Sequence, residues 1–472
     1  MRVFYYIAIS TAAALLSACT VGPNYHRPVV QTPAAFHGSS DSPQSQAQTE
    51  SFADLPWWQV FHDPQLQELI RTALKQNYDL QSALERVTAA RAQVGIVRSN
   101  QFPQISLDPT FAGGKTEQNI KSNIFSLAAD VVFQVDLFGR YRRATEAARA
   151  QLLATQDAQQ TVILTLVSDV ASDYFLLRDL DLQLQITKET VQSQENSVKL
   201  TELRLTHGVG TRLDVLQSRQ VLDTANAQIP DLERQIGQTE DAINILLGNY
   251  PQGVPRGMAL GTTTPNGLQW SETLPPQLPV GLTSDLLERR PDIRAAEQTL
   301  VAANANIGVA KAMFFPQISL LGAGGAAWGH SAFVGSSIPT PLGVGSYAAS
   351  AAQSIFSGGA LRNNLRYAKS QERQALIGYQ QTIQRAFGDV SDALIGYEKY
   401  HSVRERQEQT VKDLQESVDV SLMRYRGGTA TYLEVLDSQR SLFQEELTLA
   451  QARNNEYQSL VQLYKALGGG WK

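Results

Sequence analysis

The sequence predicts an α+β membrane protein, with long coiled-coil helices interleaved with transmembrane β-strands and the whole plan written twice along 472 residues. Three observations predict it. Residues 69–107 align without a gap to residues 282–320, and both end in PQISL, so the chain carries an internal repeat. Apolar residues recur at every seventh position through two long stretches, the period of supercoiled helices. Between the helical stretches lie short segments of period two with carboxylates on the polar side, the pattern of a half-buried sheet or of membrane strands.

Taken in order, residues 1–18 carry one positive charge at Arg2 and a short apolar run from Val3 to Leu16. The run is too short to span a bilayer and ends in small residues, the layout of a secretory signal peptide. The only cysteine, Cys19, follows at once. A lone cysteine after Ala18 resembles a bacterial lipobox, in which Cys19 is lipidated and becomes the first mature residue. Thr20 rather than Asp after it favours, by the same resemblance, sorting to the outer membrane. One cysteine also excludes a disulfide framework and a Cys-based zinc cluster.

Repeat 1 occupies residues 66–248 and repeat 2 residues 282–468, joined by a Pro/Gly-rich stretch at 249–281 and followed by a tail at 469–472. Each opens with a helical stretch, 66–100 and 284–315, that stops at Phe-Pro because proline removes a donor and disfavours helix in the preceding residue. Two strands follow in each, about 104–113 and 126–137, then about 316–329 and 344–356. In the first repeat Ile105, Leu107 and Phe111 oppose Ser106, Asp108 and Thr110. Leu127, Ala129, Val131, Phe133, Val135 and Leu137 likewise oppose Ser126, Ala128, Asp130, Gln134 and Asp136. Asp130 and Asp136 suit a water-filled lumen better than a dry core.

Long helices at 143–206 and 361–425 come next, then Gly-rich turns and shorter helices at 212–247 and 431–467, with a kink expected at Pro230. The heptad runs Ile163, Val170, Leu177, Leu184, Val191, Val198, Leu205. Its second copy runs Ile383, Val390, Tyr397, Arg404, Val411, Val418, Tyr425, with one lapse at Arg404. A helix of roughly 60 residues is about 90 Å long. A compact globule has no use for such rods; a tube does.

Composition narrows the function. With 43% hydrophobic and 18% charged residues the chain is not disordered, and a net charge of −5 argues against nucleic acid as a partner. The six histidines show no metal spacing, and no phosphate loop or GxSxG elbow occurs, so neither a cofactor nor a metal site is expected. Gly322-x-Gly324-x-x-Ala327 formally matches a dinucleotide fingerprint, but more Gly and Ala follow it where a helix should open. Asp79 and Asp292 are one repeat position near a helix start, where a carboxylate offsets the N-terminal dipole, rather than a catalytic pair.

Four strands per chain are too few to close a barrel, and open edges in lipid are forbidden. The chain must therefore oligomerise. Three copies give twelve strands and twelve helical rods; the arithmetic also permits two or four.

Cys19-Thr20-Val21-Gly22-Pro23-Asn24-Tyr25 with Arg27-Pro28, then Trp57-Trp58, Phe61-His62-Asp63-Pro64 and Arg289-Arg290-Pro291-Asp292-Ile293-Arg294-Ala295-Ala296-Glu297 form a specific set. With Phe315-Pro316 and the glycine turns before Leu-(Asp/Glu)-Val-Leu, the chain resembles the outer membrane factor family of tripartite efflux systems, TolC-like and of the OprM/NodT lipoprotein type. The resemblance spans residues 16–470. It implies a homotrimer: a 12-stranded barrel in the outer-membrane lipid, continuous with a 12-helix periplasmic α-barrel. A mixed equatorial domain takes in the lipidated N-terminal segment 19–65 and the 249–281 linker. It further implies the exit channel of an RND-type pump that docks a periplasmic membrane-fusion adaptor joined to an inner-membrane efflux transporter. A type I-like secretion duct, a structural coiled-coil surface lipoprotein and a cell-wall hydrolase on helical rods are the competing readings; no catalytic constellation supports the last, so no enzyme is expected.

The resemblance also assigns sites. The turns Gly208-Val209-Gly210-Thr211 and Gly427-Gly428-Thr429 correspond to the periplasmic tip that meets the adaptor. Asp214, Arg424, Tyr425, Glu434 and Asp437 correspond to the periplasmic gate. Ala430 stands where TolC-like members carry an arginine, which leaves Arg424 as the positive partner.

Overall fold

In a computed structural model of the chain, the described residues are 20–30, 32–33, 35–37, 56–60, 63–115, 121–257, 285–331 and 336–469. The expected signal segment 1–18, Cys19 and most of the 249–281 linker lie outside them.

The elements run α1 (Trp57–Val60), α2 (Pro64–Gln76), α3 (Tyr78–Ser99), β1 (Gln104–Lys115), β2 (Lys121–Val135), α4 (Arg140–Thr206) and α5 (Arg212–Leu246). The second repeat gives α6 (Leu286–Arg289), α7 (Pro291–Ala312), β3 (Gln317–Ser331), β4 (Ser336–Ala352), α8 (Ala360–Arg426) and α9 (Tyr432–Ala466). The two hairpins match residue for residue: α4 and α8 have 67 residues each, α5 and α9 have 35 each.

The first helical stretch of each repeat, expected as one helix, is two. In repeat 1 the break is Asn77, whose backbone is extended at ψ 129°. Its side chain caps α3 by accepting from the Leu80 amide at 2.9 Å. In repeat 2 Pro291 opens α7 and holds Arg290 extended at ψ 121°. The breaks do the same work in both repeats. Asn77 Nδ2 donates to the Leu246 carbonyl at 2.9 Å, and Arg290 donates to the Ala466 carbonyl at 3.0 Å. Each thereby satisfies an otherwise orphaned carbonyl at the end of a short helix. Asp79 and Asp292 sit in the first turns of α3 and α7.

The chain divides into two compact units. The first comprises Met1–Val30, Glu85–Asp157 and Arg294–Gln381. Its sheet is antiparallel in the order β1-β2-β3-β4. Ile105 faces Val131, Leu107 faces Ala129 and Phe111 faces Phe125, while Ser106 faces Asp130 on the other side. The apolar stripe is therefore continuous across strands, and it is solvent-exposed in the single chain: Ile105, Leu107 and Phe111 are each more than 60% exposed. Such a face needs lipid or another apolar surface. β2 begins five residues earlier than expected and ends at Val135, so Asp136 is not a strand residue. It instead accepts the Arg142 amide at 2.9 Å at the start of α4, where a carboxylate satisfies an orphan donor. The fingerprint-like Gly322, Gly324 and Ala327 lie within β3, not at a helix start. A Cβ at Gly325 would collide with the Leu127 carbonyl, so glycine permits this close β2–β3 approach.

The second unit comprises Gln31–Leu84, Ala158–Ile293 and Thr382–Lys472. Its core gathers Leu66 and Ile70 of α2, Val170, Tyr174, Phe175 and Leu177 of α4, Ile236 and Ile243 of α5, and Tyr457, Val461 and Tyr464 of α9. The heptad positions Val170, Leu177, Val198, Ile383, Val390 and Tyr397 are buried. Asp63 caps α2 by accepting from Gln65 at 2.8 Å, with Pro64 pre-set for the first helical position. Its other oxygen accepts from the Tyr174 hydroxyl at 2.5 Å. Burial pushes that hydroxyl up to about 12, so it stays a donor. Arg178 donates to Tyr174 at 2.9 Å and completes the knot. Toward the turns the helix seam becomes polar: Gln194 donates to Gln439 at 3.2 Å, and Thr201 and Ser218 share a 3.0 Å hydrogen bond. α5 continues through Pro230.

Candidate functional site

Two turns join the long helices to the short ones, both in the second unit. At the end of α4 the Gly208 amide bonds to the Leu205 carbonyl at 3.0 Å, and the Val209 amide bonds to the Arg204 carbonyl at 2.9 Å. At the end of α8 the Gly428 amide bonds to the Tyr425 carbonyl at 3.1 Å and the Thr429 amide to the Arg424 carbonyl at 2.9 Å. Gly208 and Gly428 have φ of 78° and 73°, the left-handed conformation that ends helices and favours glycine. Neither is crowded: a Cβ at either would meet nothing within 4 Å. Val209, at the crest, is 65% exposed.

The next helices start with reciprocal caps. Asp214 accepts from the Thr211 amide at 2.9 Å, and Thr211 accepts from the Asp214 amide at 3.2 Å. Glu434 accepts from the Thr431 amide at 3.2 Å in the same place of the second repeat. Of the five residues expected at a gate, the chain thus uses Asp214 and Glu434 first as helix caps.

Glu434 has a second partner, Arg424, at 3.2 Å across the turn. Both are about half exposed, so the pair alone is worth only about 0–1 kcal/mol. Tyr425 is buried in an apolar cluster with Val221, Tyr432, Val435 and Leu436. The Tyr425 and Tyr432 rings lie 5.4 Å apart. Burial raises the pKa of both hydroxyls, that of Tyr432 to about 12, so both are neutral phenols at physiological pH. Asp437 is exposed.

One contributor lies outside the expected set. The Arg204 guanidinium lies 4.4 Å above the Tyr425 ring and donates to the Tyr425 carbonyl at 3.3 Å. The repeat carries the signal for it: Arg204 and Arg424 occupy the same place before the two turns. The repeats diverge next to it, with Leu205 against Tyr425 and Gln217 against Asp437. The polar constellation therefore belongs mainly to the second hairpin, with Arg204 reaching across from the first.

The N-terminal segment makes a second conspicuous site, in the first unit. Val21 donates to the Phe138 carbonyl at 3.1 Å, and Arg143 donates to Asn24 at 2.7 Å. Glu297 receives both the Tyr25 hydroxyl at 3.1 Å and Arg27 at 3.0 Å. Two separate sequence motifs thus meet at one carboxylate, and the residues just after Cys19 are strapped to the strand-to-helix junction. Among the described residues, no group of three or more His, Cys, Asp or Glu side chains is arranged to hold a metal.

The profile of the family described as outer membrane efflux protein matches residues 69–249 and 282–469. The cation efflux system protein CusC of Escherichia coli strain K12 is 33% identical over 463 residues, 97% of this chain and 98% of that protein. The solvent efflux pump outer membrane protein SrpC of Pseudomonas putida is 34% identical over 472 residues, 98% of this chain and 97% of that protein. A crystal structure of CusC aligns with TM-score 0.83 at 33% identity, covering 96% of this chain and all of that one. The open state of the Neisseria gonorrhoeae outer membrane channel MtrE aligns with TM-score 0.82 at 29% identity, covering 96% and 99%.

Proposed function

Because the chain belongs to the family of outer membrane efflux proteins, we propose that it works as a homotrimeric duct receiving solutes from a periplasmic adaptor and an RND-class inner-membrane transporter. That it is an outer-membrane channel of a tripartite efflux system follows from the family and from relatives that span its whole length. The fold is that of those channels, a helical periplasmic barrel with a β-domain. The family is one of channels, and no catalytic chemistry is assigned to this chain.

The observation that carries the reading is the sheet. It has one continuous apolar face, a polar face with Ser106, Asp108 and Asp130, and two open edges, β1 and β4. In lipid those edges must be paired, and three chains supply twelve strands.

Substrates are drugs or other toxic solutes. Relatives of 32–34% identity are named for cations, toluene, antibiotics and solvents. Such a spread at equal similarity supports a general duct whose cargo is chosen by the partners. The turns Gly208–Thr211 and Gly427–Thr429 are the adaptor-docking tip. Asp214, Arg424, Tyr425, Glu434 and Asp437 form the gate, with Arg204 holding Tyr425. Cys19 carries the lipid.

Single-channel conductance of the purified protein in a planar bilayer, together with its native mass, tests this. A conducting trimer is expected; a monomer without conductance would refute it.

A further inference from the structure

A cavity of about 160 Å³ opens in the second unit where three helices meet. Glu189 and Gln194 of α4, Val418 of α8, and Gln439, Phe443 and Glu446 of α9 line it. Glu446 lies about 20 Å along α9 from Tyr432, so the cavity is set well back from the two turns.

Two carboxylates share this cavity without a cation. Among the described residues neither Glu189 nor Glu446 has an ion-pair partner, and Glu189 accepts a neutral donor, Gln185 Nε2, at 2.9 Å. Glu446 is half-buried. Burial, and then the charge of Glu189, raise its carboxyl above the ordinary carboxylate range, and no cation counters them.

Gln194 supplies an independent sign. It is 2% exposed, and its Oε1 has no hydrogen-bond partner. Its neighbours fix which way the amide points. The Ser197 hydroxyl donates to the Ser193 carbonyl at 3.2 Å, so its oxygen accepts from Gln439 Nε2 at 3.4 Å. That leaves Gln439 Oε1 to accept from Gln194 Nε2 at 3.2 Å. A carbonyl only accepts, so the series cannot run backwards, and the group it leaves open is an acceptor. A buried acceptor without a donor is costly and marks a place for a water or an ion.

The helical rods do not require this arrangement. α4 and α5 correspond to α8 and α9 at one constant offset, which pairs Arg140 with Ala360 and Arg212 with Tyr432. By that offset the counterparts of Glu189, Gln194 and Glu446 are Gln409, Leu414 and Asn226. The same positions of the rods are thus filled elsewhere by two amides and a hydrocarbon.

We propose that the cavity is a binding site for a hard divalent cation, Ca²⁺ before Mg²⁺, held by the carboxylates of Glu189 and Glu446 and by Gln194 Oε1. Two carboxylates balance a dication in charge. The donors are oxygens, and no histidine, cysteine or methionine lines the cavity, so a soft metal finds no preferred ligand. The donors come from separate helices in no octahedral frame, which suits the flexible shell of calcium better than that of magnesium. The volume is several times the ~10–15 Å³ that one water needs, so the ion keeps part of its hydration. Among the described residues no third carboxylate or histidine joins the pair. The affinity is accordingly weak, roughly 10⁻⁴–10⁻³ M, as for sites with few charged ligands. Bound there, the ion ties α4 of the first hairpin to α9 of the second.

Calorimetric titration of calcium chloride into the chelator-treated, full-length protein tests the site. The parent should take up one ion per chain in the stated range. Glu189→Gln with Glu446→Asn, which copies the other repeat, should weaken binding roughly tenfold or more at unchanged helix content. Glu195→Gln, an exposed acid of α4 outside the cavity, should leave it as it is. Saturating calcium should also raise the melting midpoint of the helices in the parent and not in the double variant. Equal binding by parent and double variant puts the ion elsewhere and overturns the site, as does a parent that binds nothing in the millimolar range. Spermidine that raises the midpoint as far as calcium does overturns the metal ion in favour of an organic amine.

Discussion

Arg404 donates from Nε to Glu456 Oε2 at 2.7 Å, and this one contact explains the only lapse in the second apolar heptad. Both side chains are buried, and Glu456 also receives His401 Nδ1 at 2.6 Å. Arg404 reaches Glu408 at 3.0 Å, which in turn is bridged by Arg453 at 3.1 Å. The corresponding residues in the first repeat are Leu184 and Ile236, so one position in the bundle is solved once with hydrocarbon and once with charge.

A buried ion pair gains little over hydrocarbon of similar size, while half of one is costly. Arg404→Leu alone should therefore destabilise the helical bundle by about 3–5 kcal/mol. Arg404→Leu with Glu456→Ile, which copies the first repeat, should recover parental stability or exceed it. Denaturant titration of the three proteins decides; a double variant no better than the single would refute the account.

Tyr425→Phe combined with Arg424→Ser should raise single-channel conductance and admit large antibiotics such as vancomycin in susceptibility assays. The second substitution breaks the 3.2 Å pair to Glu434, and the first removes a hydroxyl that is buried. Asp437→Ala should lower cation selectivity, because threefold repetition makes each acidic residue a ring. Unchanged conductance and selectivity in inserted trimers would place the gate elsewhere.

Adaptor docking is better tested at Val209 than at the glycines. Bulk at Gly208 or Gly428 forces a side chain into the left-handed region, so its effect on docking is mixed with backbone strain. Val209 has no such constraint and is exposed. Val209→Glu should reduce adaptor cross-linking and efflux with the trimer intact. Normal cross-linking in that variant would exclude the crest of the first turn from the interface.

Asp179 gives a pH dependence with a definite sign. Its carboxyl is almost fully buried, Gln183 donates to one oxygen at 2.9 Å, and the other has no partner. Burial pushes its pKa up to about 7, against about 3.9 in an unfolded chain. Between those values the folded state holds a proton that the unfolded state has released, so stability falls as pH rises from about 4 to 7 and then levels. Asp179→Asn should remove that decline, with the gain over the parent largest above pH 7 and vanishing near pH 4. Parallel melting curves from pH 5 to 8 for both proteins would contradict it.

Cys19→Ser should abolish incorporation of labelled fatty acid. The Val21–Phe138, Asn24–Arg143 and Arg27–Glu297 contacts do not depend on the lipid, so the variant should still insert and support partial efflux. Label in the Cys19→Ser protein would end the assignment.

What the sequence discloses is whatever repeats. The heptad, the alternation and the doubling of the chain are periodic, and each leads to the right element, because burial imposes those periods. The glycine turns are legible because a left-handed backbone leaves few other residues to choose from. Asp136 reads as a strand residue because alternation continues in the letters after the strand has turned into α4. The break at Asn77 escapes the pattern because asparagine interrupts a helix only when its side chain has somewhere to go, here the Leu246 carbonyl. Arg404 is visible as a lapse, but its partner lies 52 residues on, a distance that no local pattern reports. The same holds for Arg204 above Tyr425, a contact between two turns.

The equal lengths of the two hairpins set a rule for how such a chain can change over generations. A turn of helix lost from one hairpin alone would leave its twin protruding at the mouth, uneven by about 5 Å, and a partner that grips both crests at once would meet only half of them. Insertions and deletions in the rods should therefore survive in matched sets, altering both ascending and both descending helices together. The chain's duplicated origin is in this sense a ruler. Each half preserves the measure of the other, and a lineage can lengthen its conduit only by rewriting both.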